Sequence, residues 1–277
     1  FREFGNNGTY TSRTPGQVEI VDSYFLNNNA ANVRIGGEGS YVENCTVEID
    51  MEKYTGPPLG DISTGFNTRG IVVEQGLGKP GPPLPAGAVI RDCTLLARRS
   101  PLAKAVIEQG PQARSLTVRN TEITCDIDET PAVRRGPPGR IPYRPEQREP
   151  PPPHWTRLEN VRIDGTASNG AAIELYGATG SVIEDTTVNV PGARRDGVVL
   201  ANSPESNIRG GTIRASGYPV VFRVDLEQSL DRRLLCLDPT SVVERLGSAR
   251  EGKNLTESPA LFQVLQREEA ENNSCLS

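Results

Sequence analysis

Aliphatic and polar positions fall in a phrase that keeps returning along the chain: an aliphatic residue, any residue, Asn or Asp, two small residues, then another aliphatic. It reads Val42-Glu-Asn-Cys-Thr-Val47, Ile90-Arg-Asp-Cys-Thr-Leu95, Val118-Arg-Asn-Thr-Glu-Ile123 and Ile183-Glu-Asp-Thr-Thr-Val188. Weaker copies begin at Ile20, Leu158 and Ile208. Where no insertion intervenes, successive copies start 22 to 28 residues apart. Such a period describes stacked units, none of which buries its apolar face alone.

A second phrase follows the first: Val33-Arg-Ile35, Ile71-Val-Val73-Glu-Gln-Gly76, Ala105-Val-Ile107-Glu-Gln-Gly110, Ile173-Glu-Leu175, Val198-Val-Leu200 and Val220-Val-Phe222. Short β-branched runs bounded by Gly, Asn and Ser predict strands between turns. Two or three such strands per repeat wind into a solenoid whose turns pair at about 4.8 Å. Asn44, Asp92, Asn120, Asn160 and Asp185 share the position after the first aliphatic. Asn and Asp tolerate the left-handed backbone of a sharp corner, so this column reads as a turn ladder rather than a line of metal ligands.

On these repeats the chain resembles the right-handed parallel β-helix, or pectin-lyase-like, superfamily, over roughly residues 16 to 223. The resemblance implies an all-β solenoid of about seven coils. It is poor in functional content, because members that look like this include polysaccharide lyases and hydrolases, phage tailspikes and surface proteins without catalysis. The expected organisation is a β-helix over 1–223 and a capping or interaction tail over 224–277, partly helical at Leu226 to Leu237 and Pro259 to Glu269.

Pro-rich insertions interrupt the coils near 50–69, 76–87 and 126–156, carrying Gly56-Pro-Pro, Gly81-Pro-Pro, Gly136-Pro-Pro and the run Pro150 to Pro153. Loops of this length in a repeat protein are commonly functional, which makes their surroundings the first choice for a binding surface. Tyr54, Phe66, Tyr143 and Trp155 fall in them, where rings either stack on a saccharide or fasten the loops to the solenoid. Val72, Val106, Val199 and Val221 are expected to point outward and form a stripe, covered by the loops and tail or by a second subunit.

Charge and composition narrow the partners. A net charge of −5 with no basic stripe argues against nucleic acid, and no apolar run is long enough to span a membrane. The sequence opens at Phe1 without a leader-like segment and is read as a processed product or an excised piece. Asn7, Asn44, Asn254 and Asn272 fit the glycosylation triplet, which suits an extracellular or virion surface. Cys45 and Cys93 share one repeat position and should stack on neighbouring coils, as two buried thiols or as a disulfide.

Catalytic chemistry has few candidates. The Asn-Thr-Asp, Asp-Asp and Gly-His-Gly phrases of polygalacturonase-like relatives are missing, and the single histidine, His154, lies in a Pro-rich insertion. A lyase of the resembling kind would need Ca²⁺ held by carboxylates and a basic residue. Glu74 and Glu108 each begin Glu-Gln-Gly at the same position of adjacent coils, with carboxylates expected about 5–6 Å apart. Arg91 and Arg119 stack in the outward slot of the other phrase. Against this stands the simpler reading, that duplication of a repeat brings matching solvated glutamates together. The function expected is therefore a non-catalytic β-helix with a structural, adhesive or glycan-binding role and no resident cofactor. The alternative is a polysaccharide lyase or glycoside hydrolase, using Ca²⁺ in the lyase case and acting through Glu74, Glu108, Arg91 and Arg119.

Overall fold

The computed structural model describes residues 1–3, 7–11, 16–55, 69–74, 87–100, 103–110, 113–136, 154–201, 203, 205–223, 235–237 and 242–245. Strands come in triplets. The first is β1 (Thr9–Tyr10), β2 (Glu19–Val21) and β3 (Tyr24–Leu26), followed by β4 (Val33–Ile35), β5 (Ser40–Glu43) and β6 (Thr46–Asp50). Next come β7 (Arg69–Val73), β8 (Gly87–Arg91), β9 (Thr94–Arg98), β10 (Ala105–Gln109), β11 (Ser115–Arg119) and β12 (Glu122–Cys125). The triplets β13 (Val133–Arg135), β14 (Trp155–Glu159), β15 (Arg162–Asp164) and β16 (Ala171–Tyr176), β17 (Val182–Glu184), β18 (Thr187–Val190) continue the series. It ends with β19 (Asp196–Ala201), β20 (Ser206–Arg209), β21 (Thr212–Ala215), β22 (Val220–Arg223), β23 (Leu235–Leu237) and β24 (Val242–Arg245).

Each triplet gives one strand to each of three parallel sheets, and each sheet runs through eight strands. The first sheet joins β1 to β22, the second β2 to β23, the third β3 to β24. This is a parallel β-solenoid. The two aliphatics of the recurring phrase line its interior. Val42, Ile90, Val118, Leu158, Ile183 and Ile208 align across the second sheet. Val47, Leu95, Ile123, Ile163, Val188 and Ile213 align across the third. All twelve are buried in one continuous core, each contributing about 1.5–3 kcal/mol relative to exposure.

Between these columns runs the corner ladder. Asp22, Asn44, Asp92, Asn120, Asn160 and Asp185 all hold φ between 47° and 55°, and Gly210 continues the column at 62°. Each corner is hydrogen-bonded to the next turn, as in Asp92 N to Arg119 O at 3.2 Å and Thr94 N to Cys45 O at 3.0 Å. Side chains add rungs, with Asn44 Nδ2 donating to Asp22 Oδ1 at 2.6 Å and Asn160 Nδ2 to Asn120 Oδ1 at 2.9 Å. The residue after the corner donates back two residues: Ser23 to Val21 O, Cys45 to Glu43 O, Cys93 to Arg91 O, Thr121 to Arg119 O and Thr186 to Glu184 O. The small positions of the phrase are thus a repeated local hydrogen bond in which thiol and hydroxyl serve alike.

Several expectations change. The 126–156 insertion contains a strand: β13 pairs with both β10 and β16, so the first sheet is unbroken there. Trp155 opens β14 rather than sitting in a loop. In the segment expected to be helical, Leu235–Leu237 is a strand, and β23 and β24 extend the second and third sheets. The Pro259 to Glu269 helix lies outside the described residues.

The valine stripe is not continuous either. Val106 and Ile107 both enter the core, as do Ala132 with Val133 and Ala172 with Ile173. Two consecutive inward residues mark a corner bend at the start of these strands, and alternation misreads one of them. The outward row of the first sheet is Tyr10, Arg34, Val72, Glu108, Arg134, Glu174, Val199 and Val221. Only Val199 and Val221, with Ala171 and Tyr218, make an apolar patch on it.

Among the described residues no helix is long and apolar enough to cross a membrane.

Candidate functional site

The two Glu-Gln-Gly triplets lie on adjacent strands of the first sheet but two residues out of register. Glu108 stands beside Val72, and Glu74 packs against Gly110. Each carboxylate meets its own arginine. Glu74 Oε1 is 3.0 Å from Arg34 Nη1, and Glu108 pairs with Arg69 Nε. Burial is the main cause that raises the Glu74 pKa above the ordinary carboxylate range, with Arg34 opposing it and Glu108 adding to it. Arg134 and Glu174 continue this outward row at 3.7 Å. The first sheet therefore presents interleaved charges of both signs.

Arg91 and Arg119 are elsewhere, on the outer face of the second sheet, where they are direct neighbours between β8 and β11. Glu74 and Glu108 do not share that face. The outward residues there alternate with the core: Tyr41 and Glu43 on β5, Val89 and Arg91 on β8, Ser115, Thr117 and Arg119 on β11, Trp155, Arg157 and Glu159 on β14. Arg91 donates to Glu43 at 2.8 Å and lies over the Tyr41 ring at 4.7 Å. The Glu43 hydrogen bond is the first cause of its raised pKa. Arg157 pairs with Glu159 and reaches Glu184 at 3.5 Å. Among the described residues Arg119 has no carboxylate at ion-pair distance. Its register neighbour on β14 is Glu159, whose carboxylate pairs with Arg157, so Arg119 is the one arginine of Arg91, Arg119 and Arg157 that makes no ion pair among the described residues.

Trp155 is 37% exposed on the same face, at the opposite end of β14, where it stands beside Ser115. Its backbone is held from inside. Gln109, fully buried, donates through Nε2 to Trp155 O at 3.2 Å and Ala113 O at 3.0 Å, and accepts from Thr156 Oγ1 at 2.5 Å. Thr156 N in turn donates to Ser181 Oγ at 3.0 Å. A buried amide with both ends engaged fixes the strand on which the indole stands. This explains the second Glu-Gln-Gly position by position: Glu108 closes on Arg69, Gln109 anchors β14, and Gly110 leaves room for Glu74. The periodic reading noticed the triplet for its glutamates and missed the glutamine. The cue in the sequence was an amide at the position where the preceding turn carries Val73.

His154 is half-buried. Its Nδ1 lies 3.0 Å from Ala113 O, which makes that nitrogen the protonated one. Burial is the first cause that lowers its pKa, and Arg135 and Arg114 lower it further, so it is neutral at pH 7. Tyr54 closes a 3₁₀ turn at Met51–Lys53, next to Thr55, whose N and Oγ1 donate to Glu3 at 2.7 and 2.9 Å. That places Tyr54 beside the N-terminal segment and away from the second sheet. Phe66 and Tyr143 lie outside the described residues.

Among the described residues no three His, Cys, Asp or Glu side chains converge as metal ligands. Glu74 and Glu108 each face a guanidinium. No protein-family model matches the chain, and no curated protein or solved structure shows significant similarity to it.

Proposed function

We propose that the protein is a non-catalytic module of the right-handed, pectin-lyase-like β-helix type, exposed outside the cell or on a virion. Its outer second-sheet face binds an acidic glycan. The observation that carries this reading is the contrast between two faces. On the first sheet every acidic residue of interest is closed by an arginine. On the second, among the described residues Arg119 makes no ion pair, with Arg91 on one side, Glu159 of the Arg157 pair on the other, and the exposed Trp155 at the far end of the same strand. A guanidinium recognises a carboxylate in two parallel hydrogen bonds, and an indole offers an apolar platform to the face of a sugar ring. Strands about 4.8 Å apart bring Tyr41, Arg91, Thr117, Arg119 and Trp155 to one flat, rigid surface suited to an extended chain.

The test is incubation of the protein with uronate polymers and with neutral polysaccharides, with and without Ca²⁺, reading both retention and products. Retention of uronates without unsaturated ends or new reducing ends supports the binding reading. Products that vanish on Glu74→Gln or Glu108→Gln would establish the lyase or hydrolase alternative instead.

A further inference from the structure

Two thiols lie at the corner ladder and take no part in the binding face. Cys45 and Cys93 follow the left-handed residues Asn44 and Asp92. Thr46 and Thr94 are in register, and Thr94 N donates to Cys45 O at 3.0 Å, so the cysteines occupy one position on adjacent turns. Neighbouring parallel strands set their Cα atoms about 4.8 Å apart, inside the roughly 4.4–6.8 Å window that disulfides occupy. Both thiols are free and nearly fully buried, at 1% and 3% exposure. Cys93 Sγ also reaches Val42 O at 3.6 Å, a carbonyl on the turn that carries Cys45. The corner hydrogen bond does not itself demand sulfur, since Ser23 and Thr121 make it on either side.

We propose that Cys45 and Cys93 are a redox pair, closed by a hydroperoxide into a reversible disulfide that joins two successive turns of the solenoid. The attacking form is a thiolate, written here at Cys45, and the sequence of steps is the same with the two cysteines exchanged. That thiolate attacks one peroxide oxygen. The O–O bond breaks, the leaving oxygen takes a proton as water or alcohol, and Cys45 becomes a sulfenic acid. Cys93 then attacks the Cys45 sulfur. The S–O bond breaks and hydroxide leaves with the Cys93 proton as water. Two thiols lose two electrons and one hydroperoxide gains them. Aligned side chains start with their Cβ atoms about 1 Å farther apart than the roughly 3.8 Å of a relaxed bridge. Closing the bond draws the turns together, and a dithiol reopens it.

The experiment treats the full chain with hydrogen peroxide and reads intact mass and peptide linkage without reductant. The expected result is a loss of about 2 Da, the two thiol hydrogens, reversed by dithiothreitol, with Cys45 and Cys93 found in one linked peptide pair. Cys45→Ser and Cys93→Ser should each abolish the loss, while Cys125→Ser keeps it. Serine preserves the corner hydrogen bond, as Ser23 does, so these variants separate bridging from folding. A gain of about 16 or 32 Da on either cysteine in place of the loss, a bridge mapped to Cys125, Cys236 or Cys275, or an unchanged mass would each overturn the proposal.

Discussion

Gly110 leaves room for Glu74 across the β7–β10 ladder: a Cβ on Gly110 would stand 2.9 Å from the Cβ of Glu74 and 3.2 Å from Val73 O. The requirement is packing, since Gly110 is not among the residues with positive φ. Gly110→Ala should therefore cost about 1–3 kcal/mol through overpacking. Denaturant unfolding checks this, and the same substitution made beside Glu74→Gly should cost less, because the opposing Cβ is then gone.

Glu74 also gives stability a pH dependence. Its folded-state pKa is raised, first by burial, so the native state holds the proton more tightly than the unfolded chain does. The contribution is fully present below the unfolded pKa and is lost as pH rises through the folded one. Thermal unfolding from pH 4 to 8 should show the native protein losing ground against Glu74→Gln as pH increases. A gap that widens in the opposite direction would contradict the assignment.

Arg195 is buried, has no carboxylate at ion-pair distance among the described residues, and acts as a clamp on carbonyls. Its Nη1 donates to Asn169 O at 2.7 Å and Ile127 O at 3.2 Å, and its Nη2 to Thr130 O at 2.6 Å. Arg195→Met keeps much of the volume but leaves those carbonyls without a donor, a loss on the order of 3 kcal/mol. Lysine should not restore it, because one ammonium lacks the planar fork. Urea midpoints of the two variants provide the check.

The corner ladder makes a sharper prediction about backbone than about side chains. Asn120 holds φ at 47° and accepts an exposed rung from Asn160. Asn120→Ala keeps a Cβ in the left-handed region but loses the local side-chain hydrogen bonding that offsets part of its cost of about 1–2 kcal/mol. Asn120→Gly loses only the rung and should be the more stable of the two. If alanine proved the better substitute, the column would owe its stability to the rungs instead.

Much of this fold was legible because burial imposes a period. The two aliphatics of the phrase had to face inward, and the Asn or Asp between them had to take the corner. Reading failed where periodicity and register part company. Val133–Arg135 is a three-residue strand followed by Gly136-Pro-Pro, and its outward arginine gave it no alternating signature. Val106 looked outward because strict alternation does not foresee the two inward residues of a bend. The paired Glu-Gln-Gly triplets looked aligned because sequence identity says nothing about a two-residue offset. For the candidate face, Arg91, Arg119 and Trp155 were visible as residues, yet their common sheet was not. Only the length of structure between strands decides which sheet a residue joins, and the insertions hid it.

The proposed binding of an acidic saccharide on the second-sheet face rests on Arg119 and Trp155. Isothermal titration of a homogeneous oligouronate into the protein, Arg119→Ala and Trp155→Ala tests it most directly. Both residues are partly exposed surface positions, so the fold should survive their replacement. Binding should weaken with added salt, fall about tenfold or more in each variant, a change of about 1.4 kcal/mol, and be absent for a neutral oligosaccharide. Equal affinity in all three proteins, or no heat of binding at any salt concentration, would contradict it.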